Sequence, residues 1–336
     1  MPLANLRKQY KDDKMNSMQK IIPHLWFDKE AKEATALYVS IFKDLASPMG
    51  RSAIKNIATL HNTPSGDSDV VSFTLAGQDF MAISAGPYFK FTPAISFMVN
   101  FDPSQDKDAA KHINEVWAKL SEGGNIRMEL GEYPFSKRYG WCADKYGLDW
   151  QLILVNPARL AEASGVAREG EKRPSIIPSL LFVTDEGEKA EEATDFYLSV
   201  FKDSKRGAIA RYPKGMEPNK EGAIMFTDFK LLDTWFAAMD GSARMHKFRF
   251  NEAVSFIVKC DTQEEIDYYW EKLSAVPESE QCGWLKDKFG VSWQIVPSVM
   301  DEMMASGDKK KIAQVTEAFL KMKKFDIKEL QEAFER

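Results

Sequence analysis

Four blocks of this 336-residue chain occur twice in the same order, which restricts the fold to two copies of one unit. Ile21-Ile22-Pro23 returns at Ile176, the run from Tyr38 to Asp44 at Tyr197, the run from Phe91 to Phe97 at Phe250, and the run from Gly140 to Gln151 at Gly283. The offsets are 155, 159, 159 and 143 residues, so the copies differ in their spacers. The second has a longer opening loop and lacks most of the stretch from Glu122 to Arg138.

Periodicity predicts the elements inside each copy. An opening strand from Ile22 to Phe27 runs into a helix whose apolar positions Ala34, Leu37, Tyr38, Ile41 and Phe42 recur every three or four residues, so one face is buried. Short strands follow, including Val70 to Leu75 and Phe80 to Ile83, with Gly77-Gln78 as the turn between them. The pattern then restarts: strand from Ala94 to Val99, amphipathic helix from Asp108 to Leu120, and strands over 126–130, 141–144 and 149–155. Each copy reads as strand, helix and three strands, twice. The predicted boundaries are an extension over 1–19, a first domain over 20–157, a partly helical linker over 158–174, a second domain over 175–298 and a helical tail over 299–336. The tail, with its last helix capped by Asp326, is expected to strap across a domain.

Composition narrows the function classes. With 44% hydrophobic and 28% charged residues the chain is globular, and no stretch is long and apolar enough to span a bilayer. The first twenty residues mix charges of both signs and lack a secretory apolar block, so the expected location is cytoplasmic. A net charge of −5 with interleaved basic residues leaves no footprint for nucleic acid or an anionic membrane. Cys142, Cys260 and Cys282 are widely spaced and odd in number, which argues against a disulfide framework or a thiolate metal site.

The βαβββ pairs, the Pro-x-Leu-x-Phe opening, the Phe-x-x-Ala-x-Ser-Phe strand and the Lys-Tyr/Phe-Gly-x-x-Trp-Gln close appear in both copies. Together they resemble the PhnB-like family of the vicinal-oxygen-chelate superfamily, which includes glyoxalases, bleomycin-resistance proteins and dioxygenases. The resemblance extends into the tail. It implies an α+β fold of two tandem vicinal-oxygen-chelate domains, in which paired βαβββ modules form cupped mixed sheets, followed by C-terminal helices. The fused copies would hold an intrachain pseudo-dimer. Members of this family are often labelled 3-demethylubiquinone methyltransferase. This sequence lacks the glycine-rich strand-to-helix turn that a Rossmann-like sheet for S-adenosylmethionine needs.

The resemblance also implies where the superfamily's metal ligands would fall: Ile22 and Ile177 on the first strands, Ala94 and Ala253 on the restart strands, and Gln151 and Gln294 on the last. One neutral amide per domain does not hold a divalent cation, so no metal and no cofactor is expected. Gln151 and Gln294 are instead candidate ligand-binding residues, facing into the cups. His24, on the same strand face as Ile22 and Trp26, joins them, as do Trp26, Ser84, Trp150 and Trp293. His61, His112 and His246 read as solvated. Asp240, at a strand end where the first copy has Ser84, is the candidate catalytic residue, as a general base or else a turn cap. The expectation is a small-molecule-binding protein. A metal-dependent glyoxalase or dioxygenase-type enzyme, a metal-free acid–base enzyme using Asp240, and an interaction module with filled cups stand as alternatives.

Overall fold

The structure is a computed structural model that describes residues 19–45, 49–63, 65–156, 173–184 and 188–336. The N-terminal extension lies outside them except for Gln19, and the linker except for Arg173 and Pro174.

Four modules follow one another. The first is β1 (Ile21–Phe27), α1 (Ala31–Phe42), β2 (Ala53–Thr63), β3 (Gly66–Leu75) and β4 (Gln78–Ser84). The second is β5 (Ile95–Phe101), α2 (Ala109–Ser121), β6 (Asn125–Tyr133), β7 (Ser136–Ala143) and β8 (Asp149–Leu154). The third is β9 (Ile176–Thr184), α3 (Ala190–Val200), β10 (Lys205–Arg211), β11 (Ile224–Leu231) and β12 (Thr234–Ser242). The fourth has β13 (Val254–Cys260), α4 (Gln263–Leu273), β14 (Trp284–Lys286) and β15 (Ser292–Pro297). It has no counterpart of β6, because the second copy lacks the residues that build it.

The modules form two mixed sheets, ordered β14-β15-β13-β1-β4-β3-β2 and β10-β11-β12-β9-β5-β8-β7-β6. Each sheet is a pair of modules, one from each repeat. β1 joins β13 antiparallel, with His24 opposite Ser255, and β5 joins β9 antiparallel, with Ser96 opposite Ser179.

The hydrophobic cores follow a different rule, since the rings that fill them come from one repeat. Trp150 packs against Tyr38, Phe42 and Phe97, while Trp293 packs against Tyr197, Phe201 and Phe256. Each of these cores holds one buried carboxylate. Asp144 accepts from the Tyr38 hydroxyl at 2.8 Å and from Trp150 Nε1 at 2.9 Å, and Asp287 accepts from Tyr197 and Trp293 at the same distances. Backbone N–H groups at Tyr146 and Leu148, and at Phe289 and Val291, fill the other oxygen of each. Buried charge this fully bonded fixes one arrangement of the surrounding rings. A repeat is therefore one unit by its core, while each sheet needs both repeats.

The tail folds as α5 (Val299–Met304), α6 (Lys309–Phe319) and α7 (Ile327–Glu335). Asp326 caps the last of these by accepting from Glu329 N at 2.9 Å. Between α6 and α7 the chain runs along the edge that the missing strand leaves open: Cys282 N donates to Met322 O and Gly283 N to Lys323 O. Covering that edge removes a row of unpaired backbone groups that would otherwise invite pairing with another chain.

Candidate ligand cup

In a sheet with helices on one side, alternate residues point away from them. On the β5–β8/β9–β12 sheet that opposite face bounds a cavity of about 2120 Å³. Its lining is largely apolar, with Met98, Ile153, Ile177, Leu181, Phe226 and Met239. The rim carries Phe135, Met216 and Met245 as exposed apolar side chains.

Three polar groupings interrupt this lining. Tyr139 donates its hydroxyl to Gln151 Oε1 at 2.7 Å, and Gln151 Nε2 donates to Ser96 Oγ at 2.8 Å. Burial pushes the Tyr139 phenol up, so it stays a donor. Toward one end, Arg127 Nη2 donates to Asp149 Oδ2 at 3.1 Å and Trp141 Nε1 donates to Asp149 Oδ1 at 2.8 Å. At the β11/β12 side, Arg173 Nε donates to Asp228 Oδ2 at 2.8 Å while its guanidinium lies 3.4 Å from the Trp235 ring centre. Each of these arginines has a carboxylate partner.

The other cup, over β1–β4 and β13–β15, is filled by rings. Trp284 meets His24 edge-on at 5.6 Å and Trp26 at 6.0 Å, and Trp26 meets Phe89 at 5.1 Å. Trp26 Nε1 donates to Gly86 O at 2.8 Å. Gln294 Nε2 donates to Ser255 Oγ at 2.9 Å, matching the Gln151–Ser96 contact in the first cup. His24 is buried with Nδ1 unpartnered among the described residues, and burial alone pushes its pKa down to about 3.

The expected site residues thus separate. Gln151 lines the open cup, whereas Gln294, His24 and Trp26 lie in the filled one. Trp150 and Trp293 do not reach a cup: adjacent to Gln151 and Gln294 in the strand, they point the other way into the cores and are fully buried. Ser84 also turns to the helices, and Asp240, although it borders the open cavity, turns its carboxylate to backbone amides. Ser84 Oγ accepts from Ala31 N at 3.2 Å. Asp240 Oδ1 accepts from Lys189 N and Ala190 N at 2.9 and 2.8 Å, and its Oδ2 from Ile224 N at 2.9 Å. That carboxylate holds the start of α3 and the start of β11, the arrangement of a capping residue.

The metal positions shift as well. The residues around Gln151 are Ser96 and Ser179, and those around Gln294 are Ser255 and His24, one strand alternation beyond Ala94, Ile177, Ala253 and Ile22. Two hydroxyls with an amide, or one imidazole with a hydroxyl and an amide, do not match the three or four imidazole and carboxylate ligands of a divalent site. Among the described residues no group of three or more His, Cys, Asp or Glu could hold a metal ion. Burial pushes the Cys142 thiol up to about 12 and also raises Cys260 and the half-buried Cys282, which disfavours the reactive thiolate in each.

Several contributors were not expected. Ser96 and Ser255 lie inside the repeated Phe-x-x-Ala-x-Ser-Phe block, so a buried hydroxyl kept at one place in both copies was a usable signal. His246 lines the open cavity beside Phe248, although its loop position gave no hint of this. His61 Nδ1 lies 3.0 Å from Asp67 Oδ2 at an exposed site on β2, and His112 bonds Asp106 at 2.6 Å.

Mixed sheets built from paired βαβββ modules, each sheet presenting a cup face, define a vicinal-oxygen-chelate protein. Within that class the chain belongs to the PhnB-like family described as 3-demethylubiquinone-9 3-methyltransferase, whose model matches residues 19–153 and 174–296. The PhnB protein of Bacillus cereus is 39% identical over 41% of this chain and 100% of its own, with a TM-score of 0.35. Glyoxalase I of Zea mays aligns with 84% of this chain and 96% of its own at 10% identity and a TM-score of 0.49. The fosfomycin resistance protein FosX of Listeria monocytogenes aligns with 43% and 98% at 16% identity and a TM-score of 0.30. Among curated proteins none matches the chain.

Proposed function

We propose that this is a small-molecule-binding protein that works without the superfamily's metal, and that its working cup is the one shared by β5–β8 and β9–β12. The observation that carries this reading is the cavity itself, apolar over most of its lining with a few converging polar groups. That is the usual make-up of a ligand site, and its size admits a ligand larger than most. The opposite cup, filled by Trp26, Trp284 and Phe89, serves the pseudo-dimer as structure. Acid–base catalysis by Asp240 is disfavoured because three backbone N–H groups occupy its carboxylate. Methyl transfer finds no support in two mixed sheets without the parallel, glycine-turn architecture of a Rossmann site. Among the described residues no helix is long and apolar enough to cross a membrane, which fits the proposed cytoplasmic setting without establishing it.

Ile153 is half-buried in the lining, so replacing it perturbs the cup more than the fold. Ile153→Glu places an unpaired carboxylate among Met98, Ile177 and Phe226. Binding of the neutral fluorophore N-phenyl-1-naphthylamine, followed by its emission, is expected to weaken roughly tenfold or more, as burial of an uncompensated charge requires. Unchanged affinity would place the fluorophore elsewhere and reject this cup as the binding site.

A further inference from the structure

We infer that the floor of the open cup is a hydrogen-bonding site for a neutral oxygen acceptor, such as a ketone or ether oxygen, carried on an otherwise apolar molecule. Ser179, Ser96 and Gln151 are the residues that would select it. This rests on the reading of that cup as a ligand site and names the chemistry of what it takes.

Ser96 and Ser179 face each other across the β5/β9 seam. Both lie on the cup face, each one alternation from a cavity-lining residue, Met98 and Ile177 respectively. Ser179 is fully buried, and its hydroxyl has no hydrogen-bond partner among the described residues. A buried hydroxyl left unpaired is destabilising, so one retained at a cup floor calls for a partner from outside the chain.

The donor count around it points to an acceptor. Tyr139, Ser96 and Ser179 bring one hydroxyl hydrogen each and the Gln151 amide brings two. Two bonds are made among them, Tyr139 to Gln151 and Gln151 to Ser96. Three hydrogens therefore lack an acceptor among the described residues, and reversing the amide does not change that number. Unspent donors are the rarer and costlier kind of orphan, whereas an oxygen with two lone pairs would take up two of them. The nearby cations favour a neutral oxygen over an anion, because Arg127 and Arg173 already bond Asp149 and Asp228. Neither serine itself lines the cavity; Met98 and Ile177, one alternation away, do, and the unbranched thioether of Met98 is the side chain best suited to moving aside.

A matched pair of probes tests this: 2-acetonaphthone and 2-ethylnaphthalene, alike in shape, each titrated as a competitor of N-phenyl-1-naphthylamine. Ser179→Ala is expected to weaken the ketone roughly fivefold to tenfold, the worth of one buried hydrogen bond, and the hydrocarbon less than twofold. The variant should melt no lower than the wild type, since it loses a hydroxyl that bonds nothing. Ser96→Ala provides the same comparison at the facing residue, and 2-naphthoate should bind no tighter than the ketone. Equal effects of both variants on both neutral probes, or tighter binding of the naphthoate, would overturn the inference while leaving the cup a ligand site. Failure of every naphthalene to bind would overturn both.

Discussion

Residues 19–156 made as a separate chain are expected to sediment as a dimer, with no stable monomer at micromolar concentration. The half-chain keeps its core, because Tyr38, Phe42, Phe97 and Trp150 all belong to it. It loses both seams: β1 no longer has β13, and β5 no longer has β9. Two central strands become exposed edges beside the apolar face of Met98 and its neighbours, a combination that pairs with another chain when one is present. A second copy supplies the missing strands by the same antiparallel pairing. Mixing with residues 173–336 should form the two-fragment complex and regain the binding of N-phenyl-1-naphthylamine. A compact monomeric half-chain in the ultracentrifuge would mean that the modules of one repeat can pair with each other, whereas in the full chain they pair across the repeats.

Acid sensitivity should trace to His24. An imidazole near 6.5 in the unfolded chain and about 3 in the folded one stays neutral where the unfolded chain takes up a proton. Its folded value is depressed, so its contribution is complete above pH 6.5 and is lost as pH falls toward 3. Between pH 7 and 4.5 the loss is about 3 kcal/mol, since roughly two pH units of that interval lie below the unfolded value and each is worth about 1.4 kcal/mol. The ring is 5% exposed, so solvent screens little of this. His24→Leu keeps a side chain of similar bulk and cannot be protonated. Its stability in urea should therefore fall less than the wild type's over that interval, by about the same amount. Parallel pH profiles for the two proteins would show that His24 carries no such penalty.

The repeat blocks and their periodicity make the elements legible from the residues alone, down to Asp326 at the last helix. They do not reveal which strands meet. Alternation tells which face of β1 or β5 is apolar, but β1 would present the same face to β5 as to β13, so the exchange between repeats leaves no mark in the pattern. The same limit explains the site residues. Trp150 and Gln151 are adjacent and therefore face opposite sides, and only the partner of each face decides which is core and which is cup. Asp240 looks like a base in the sequence because the amides it caps lie 16 and 50 or more residues away. The filling of one cup is likewise tertiary: Trp141 and Trp284 hold equivalent places, yet the first bonds Asp149 beside an open cavity and the second is packed against Trp26 and His24.

The asymmetry of the two cups is tested most directly by methyl spectra of the protein labelled at methionine and isoleucine, titrated with 2-acetonaphthone. The expected result is movement of Met98, Ile153, Ile177, Met225 and Met239, which line the open cup, with Ile22, Met81 and Ile257 on the filled side unmoved. Movement of the second set, or of neither, would contradict a single working cup shared between the repeats.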